Sequence, residues 1–567
     1  MLKKLQTGYA SIDKPWLQYF SKEAIDSIIP ECNLYESIWQ RNKDNLDKTA
    51  LDFYGNQISY RLLFENIKNT AASLSALGVK KGETVAVCML NTPETIYLIY
   101  ALNLLGASAN MLCPMSPPEE LLHNIKLCNS RFLFTLDIFQ NTILSFLKKS
   151  DIQKVIVANL TTSMSLASRL GAALFKKVRT VPLVKDARFF SWKVFLKKQL
   201  DYQISNDADS TAVILYTGGT TGGSKAVELT NYNVNAVAWQ NLYGVQTIKR
   251  EHVWVGGLPL FIAYGLACSI QTPLVIGMTI LLRLPMTDTL EKLIKMKPNY
   301  ICSIPNSWKE LAQSNKKIDL SFFLVPISGG DIIPITIENK INEFLKKNHS
   351  KLPLYNGYGL SEVCAQATCG HPVNQKPGTV GVPFVKNTIA AFDLETGEEL
   401  KYDEEGELCI NTPSMMKGYI NNEAETNKVI RRHKDGLYWV HTGDLGYVDS
   451  DGFIHINGRM KRFFVRQCDG MVKKIFCPDA ENHLLQCKDI EQCVFVQQQS
   501  ETEQKICAFI IPSDKTISQS TLIDRVKSFC KESLGDFYSP DCLYVIDKFP
   551  LTKIGKIDYR ALEKKII

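Results

Sequence analysis

This 567-residue chain has no apolar run long and unbroken enough to cross a bilayer. Residues 96–113 and 273–282 form its longest apolar stretches, and they fall short of about 20 residues or are broken by Asn103, Gly106 and Asn110. Both are expected in the core. Behind Met1-Leu2-Lys3-Lys4 no apolar segment ends in a small-residue cleavage site, so no secretory signal is read and a cytoplasmic protein is expected. The sixteen cysteines include no CxxC pair, the tightest spacings being Cys364 to Cys369 and Cys487 to Cys493. Neither a zinc site nor a disulfide framework follows from them, and Cys364, Cys369 and His371 read as incidental neighbours. Repeats and low-complexity tails are also missing. At 45% hydrophobic and 22% charged residues the composition excludes disordered and collagen-like chains.

Excess charge is confined to one place. Residues 161–200 hold nine basic side chains (Arg169, Lys176, Lys177, Arg179, Lys185, Arg188, Lys193, Lys197 and Lys198) against Asp186 alone. That exceeds the net +7 of the whole chain, so the remainder is nearly neutral and no nucleic-acid partner is expected. Within the window Leu166, Leu170, Leu174 and Val178 recur every fourth residue, as along one side of a helix. Such a basic insert is a solvated surface helix, a docking site for an acidic partner, or a peripheral contact with an anionic membrane, here its inner surface.

The length implies two or more domains. Val- and Ile-rich segments alternate with longer amphipathic stretches over residues 50–390, which predicts an α/β architecture with largely parallel sheets. Thr84-Val85-Ala86-Val87-Cys88 reads as a buried strand, and Thr92-Pro93-Glu94 as the capped start of a long apolar helix. After about residue 380 turn residues punctuate short strands, predicting a β-rich subdomain. From Arg459 onward, strands near 493–496 and 506–511 and a helix near 522–534 predict a compact α+β domain behind a basic hinge, Arg459-Met460-Lys461-Arg462.

The most informative segment is Tyr216-Thr217-Gly218-Gly219-Thr220-Thr221-Gly222-Gly223-Ser224-Lys225, directly behind the apolar run Val213-Ile214-Leu215. Glycines let backbone N–H groups approach an anion, threonine hydroxyls can donate to phosphate or meet a metal, and the lysine adds positive charge. A Walker A loop is excluded twice: from Gly219, Ser224 stands where its glycine belongs and Ala226 where Ser or Thr belongs. The order instead resembles YTSGTTGxPKG, the signature loop of the adenylate-forming superfamily of acyl-CoA synthetases, luciferases and peptide-synthetase adenylation domains.

Three further motifs follow in that family's order. Tyr355-Asn356-Gly357-Tyr358-Gly359-Leu360-Ser361-Glu362 is similar to its YGxTE motif, Tyr438 to Asp444 to WxxTGD, and Pro550 to Asp558 to PxTxxGKI. The resemblance implies an α/β fold: a large N-terminal domain (1–458) of two α/β subdomains plus a β-rich subdomain, carrying the basic insert at about 161–200, and a small, mobile α+β C-terminal lid domain (459–567). It implies ATP, Mg²⁺ and CoA as cofactors and co-substrates. Thr217, Gly218, Gly219, Thr220, Thr221, Gly222 and Lys225 would clasp the phosphates, with Thr220 and Glu362 holding Mg²⁺. Gly329 and Gly330, in Ser328-Gly329-Gly330-Asp331, would line the adenine edge with Asn356 and Gly357. Tyr358 would stack on the base and Ser361 approach the α-phosphate. Asp444 and Arg459 would hold the ribose, Lys556 would promote attack of the carboxylate, and Lys461 would pivot.

Pro259-Leu260-Phe261-Ile262-Ala263-Tyr264-Gly265 resembles the family's PLFHxxG acyl-pocket motif, placing Ile262 and Tyr264 beside the acid. Ile262 replaces a common histidine, and the block lacks the aspartate by which amino-acid-activating domains hold an α-ammonium. A small-molecule carboxylate, a fatty acid in the first instance, is therefore expected as substrate. CoA is the expected acceptor and an acyl carrier protein the alternative; the chain ends soon after the lysine motif, so no carrier domain in cis is read. A non-catalytic nucleotide-binding module would be expected to lack Glu362, Asp444 or Lys556, and none is missing. Gly406 to Ile410 and Met416 to Tyr419 match a GELxxxGP…GY block that reads as structural. Gln467-Cys468-Asp469 reads as a small insertion ahead of Gly470.

Overall fold

The computed structural model describes residues 6–174, 181–217, 224–245, 247–285, 287–314, 316–369, 376–460, 462–468, 471–499, 504–552 and 556–566. The chain packs into two compact units. The larger comprises Lys14–Thr388 and Ile410–Val440, the smaller Met1–Asp13, Ile389–Cys409 and His441–Ile567.

Two sheets organise the larger unit. The first runs, in spatial order, Gly418–Tyr419, Ala226–Thr230, Thr211–Tyr216, Ser108–Met111, Thr84–Cys88, Phe132–Leu136, Lys154–Ala158 and Phe189–Ser191. All its pairings are parallel from Thr211–Tyr216 outward to Phe189–Ser191, whereas Ala226–Thr230 and Gly418–Tyr419 add on antiparallel. The second runs Tyr355–Gly357, Val325–Gly329, Tyr300–Ser303, Val253–Gly256, Thr279–Leu282, Thr49–Phe53 and Asn56–Ser59, parallel except for its final hairpin. Strands such as Phe132–Leu136 are buried at every position, which explains their unbroken apolar sequence: helices cover both faces of a parallel sheet.

The expected helix start at Thr92 is present. Its side chain accepts the N–H of Thr95, Pro93 occupies the first turn, and all twelve residues of Pro93–Leu104 are buried. This helix forms the first half of the apolar stretch 96–113, and residues 273–282 likewise line the interior.

In the smaller unit, residues 444–448 pair antiparallel with 454–459, and a hairpin joins Phe463–Cys468 to Met471–Phe476. Strands Ile490–Gln499, Gln504–Pro512 and Cys542–Val545 form a three-stranded sheet. One face packs on helices Cys477–Leu484 and Gln519–Phe529 through Phe495, Ala508, Leu484, Leu522 and Val526, and the other on Leu562 and Ile566. This is the α+β arrangement expected from the sequence. Gln467 and Cys468 belong to the first strand of that hairpin, paired with Val472 and Met471.

Candidate active site

The glycine-rich segment joins two antiparallel strands, Thr211–Tyr216 and Ala226–Thr230, so its ends are held together by the sheet. Thr217 N–H donates to Lys225 O at 3.1 Å, and Lys225 N–H donates to Thr217 Oγ1 at 3.4 Å. Below the loop, Tyr216 Oη donates to Asn110 Oδ1 at 2.8 Å. Gly218, Gly219, Thr220, Thr221 and Gly222 lie outside the described residues. Lys225 is a member of a small cluster. Its Nζ pairs with Glu425 at 2.5 Å and stands 4.9 Å from the centroid of the Tyr419 ring, and Tyr419 Oη donates to Glu362 Oε1 at 2.6 Å. The Lys225 hydrogen bond, reinforced by Lys428, pulls the Glu425 carboxyl down to about 2. Burial and the adjoining Glu362 carboxylate push the Tyr419 phenol far above its ordinary value, so it acts as a neutral donor.

Glu362 sits in a tight turn, Ser361–Val363, followed by Cys364 and Ala365 at φ 55° and 87°. Two successive non-glycine residues in the left-handed region mark local strain. The loop folds so closely on itself that a Cβ at Gly359 would stand 1.7 Å from Ala365 O. Only glycine fits there. One oxygen of Glu362 is taken by Tyr419; the other accepts nothing among the described residues, which suits a carboxylate meant for a hard cation such as Mg²⁺.

Ser328–Gly329 and Asn356–Gly357 are paired residues at the carboxyl ends of adjacent parallel strands. This is where open α/β sheets form ligand crevices. Ser328 Oγ and Asn356 Oδ1 are buried without a hydrogen-bond partner among the described residues. A bound heterocycle with polar edges would satisfy them. Gly330 adopts φ 94° in the open, and a Cβ on Gly329 would come within 3.3 Å of Tyr264 Oη. Tyr358 N–H is held by Thr368 Oγ1 at 3.0 Å. Tyr264 begins a π-helical segment, Tyr264–Gln271, and Ile262 is half-buried just before it. Burial pushes the Cys302 thiol up to about 12, and the Tyr264 hydroxyl is buried without a hydrogen-bond partner among the described residues.

In the smaller unit Asp444 and Arg459 are direct register partners, which is why residues fifteen apart meet. Arg459 Nε pairs with Asp444 Oδ1 at 2.7 Å and Arg459 Nη1 donates to Thr442 O at 3.1 Å. Thr442 Oγ1 accepts the Asp444 N–H at 3.0 Å, and Glu407 accepts both Gly443 N–H at 3.0 Å and His441 Nδ1 at 2.7 Å. The Asp444 side chain is therefore buried and preorganised. Lys556 is exposed, on a turn closed by Thr552 N–H to Lys556 O at 2.7 Å and Lys556 N–H to Thr552 Oγ1 at 3.2 Å. Lys461 lies outside the described residues.

Residues 38–420 match the family of AMP-binding enzymes, and residues 479–556 match the AMP-binding enzyme C-terminal domain. The chain belongs to this family. An AMP-binding enzyme of this kind is an AMP-forming acid–thiol ligase of the adenylate-forming group, with a large N-terminal and a small C-terminal domain. Among its relatives is a long-chain-fatty-acid–CoA ligase of Bacillus subtilis (strain 168), 27% identical over 97% of either chain. A probable 4-coumarate–CoA ligase of Dictyostelium discoideum is 30% identical over 80% of this chain and 81% of its own. A solved anthranilate CoA ligase in complex with anthranoyl-AMP superposes with TM-score 0.79 at 19% identity, covering 96% of this chain and 99% of the other.

Three side chains of this AMP-binding enzyme escaped the sequence reading. Tyr419 and Glu407 lie in the two parts of one block taken as structural, and Glu425 in a polar helix that no motif singles out. Only Tyr419 carried a signal, an aromatic residue two positions after Lys417 in a family-like block. Its contact with Glu362 spans 57 residues of chain and has no counterpart in local pattern.

Proposed function

We propose that this AMP-binding enzyme converts a carboxylic acid, ATP and CoA into acyl-CoA, AMP and pyrophosphate. A carboxylate oxygen attacks the α-phosphorus of ATP and the bond to pyrophosphate breaks. The CoA thiolate then attacks the acyl carbonyl carbon and AMP leaves. The observation that carries the reading is the cluster of Lys225, Tyr419 and Glu362 at the mouth of the glycine-rich hairpin, a cation and a carboxylate held beside a loop built to wrap phosphates. In this reading Thr217, Lys225 and the intervening glycines clasp the β- and γ-phosphates. Ser328, Gly329, Gly330, Asn356, Gly357 and Tyr358 receive adenine, and Ser361 approaches the α-phosphate. Asp444 and Arg459 receive the ribose hydroxyls, and Lys461 serves as the pivot of the C-terminal domain. Glu362 with Thr220 would hold Mg²⁺, which supplies charge neutralisation of the phosphates. Lys556 brings an ammonium to the charge that builds on the α-phosphoryl oxygens and attacking carboxylate.

For the acid, a fatty acyl chain is favoured by the apolar Ile262 and by the full-length similarity to a long-chain-fatty-acid–CoA ligase. The similarity to 4-coumarate–CoA ligases makes an aryl acid the second reading. Carboxylate-dependent ATP–pyrophosphate exchange across a panel of fatty and aryl acids tests both, and a flat response to every acid would defeat the proposal. Release of AMP with CoA alone is expected; release only with an acyl carrier protein would transfer the acceptor role to a protein thiol. The basic insert is proposed to touch anionic membrane from the cytoplasmic side. Leu166 and Leu170, one helical turn apart beside Arg169, are 72% and 57% exposed, which supports that contact.

A further inference from the structure

We infer that Tyr419 is a positioning residue that sets the Glu362 carboxylate for its cation. The inference rests on the reading of Glu362 as the metal-binding carboxylate. Tyr419 belongs to the two-residue strand Gly418–Tyr419, which pairs antiparallel with the exit strand of the glycine-rich hairpin in the register Gly418 to Glu228 and Tyr419 to Val227. Lys417 N–H to Glu228 O at 3.0 Å and Ile420 N–H to Ala226 O at 2.9 Å lock the strand at both ends. Thr426 Oγ1 accepts the Tyr419 N–H at 2.9 Å. The backbone of Tyr419 has little freedom.

The same strap grips Glu362 twice. Met416 N–H donates to Glu362 O at 2.8 Å, and Tyr419 Oη donates to Glu362 Oε1 at 2.6 Å. A glutamate side chain has three rotatable bonds, and a carboxylate that must meet a cation at a fixed place gains from losing that freedom beforehand. The phenol donates to one carboxylate oxygen, and that bond orients the second oxygen. The ring meanwhile offers its face to Lys225 Nζ at 4.9 Å. One side chain thus fixes the distance between the proposed phosphate cation and the proposed metal carboxylate.

If the ring only fills space against the hairpin, removing the hydroxyl changes nothing. Tyr419→Phe keeps the ring and the Lys225 contact while deleting the donor, so it separates the two roles. The measurement is ATP binding by calorimetry in a Mg²⁺ titration, with ATP binding in EDTA as the Mg²⁺-independent reference and Glu362→Gln as the control. Tyr419→Phe is expected to raise the Mg²⁺ half-saturation by about tenfold or more, with binding in EDTA unchanged, thermal stability close to that of the parent, and no further shift when combined with Glu362→Gln. Tyr419→His, which retains a donor, is expected to recover part of the loss. A Mg²⁺ response of Tyr419→Phe equal to the parent, while Glu362→Gln shifts it, would overturn the positioning role alone. An unshifted Glu362→Gln would instead overturn the metal assignment on which the inference rests.

Discussion

At the scale of single residues, the larger unit holds the charges proposed to meet phosphate in mutual satisfaction. Lys225 is paired with Glu425, so under the proposed function Glu425 competes with phosphate for that cation. Both side chains are partly exposed, so the pair contributes little to stability. Glu425→Gln is expected to leave stability almost unchanged and to tighten ATP binding by up to about fivefold at low salt, the gain shrinking at high ionic strength. Calorimetric titration at two salt concentrations checks this; weaker binding in the variant would mean that Glu425 presents Lys225 instead of restraining it. The pH dependence has a definite sign. The folded-state carboxyl is depressed from 4.5 to about 2, so the pair is fully present above about 4.5 and is lost as pH falls toward 2.

At the scale of elements, the decisive features are a loop that closes on itself and a helix that faces outward. In the loop carrying Tyr358 and Glu362, a methyl group at position 359 would have to displace the Ala365 carbonyl, which is backbone and already strained. Gly359→Ala is therefore expected to destabilise the protein by about 1–3 kcal/mol and to abolish AMP binding. Urea unfolding and an AMP titration read the two effects, and retention of both properties would show that the loop has another conformation within reach. The helix Leu166–Leu174 has the opposite character. Leu166 and Leu170 contribute little to the core, so replacing both with serine is expected to shift stability by no more than about 0.5 kcal/mol while reducing sedimentation with phosphatidylserine vesicles. Unchanged sedimentation would assign the insert to bulk solvent.

At the scale of the whole molecule, each compact unit carries residues proposed for the reaction. Lys225 and Glu362 belong to the larger, Asp444, Arg459 and Lys556 to the smaller. Lys556 stands on an exposed turn. Lys556→Ala is expected to slow pyrophosphate exchange by about 10²–10³-fold while leaving thioester formation from supplied acyl-AMP largely intact. Equal loss of both half-reactions would contradict a role confined to adenylation.

Much of this was legible in the chain itself, because it depends on local chemistry. Glycine and hydroxyl composition marks a phosphate loop wherever it folds, unbroken apolar runs mark strands buried on both faces, and Thr92-Pro93 caps a helix through bonds within one turn. The order of the four motifs was likewise sufficient to place the chain in its family. Tertiary structure alone decided the rest. The approach of Tyr419 to Glu362, of Glu425 to Lys225 and of Ala365 to Gly359 depends on how distant strands register and how tightly a loop turns. Sequence pattern carries burial and periodicity along one element, whereas the orientation of a carboxylate is set by partners that only the assembled sheet brings within hydrogen-bonding distance.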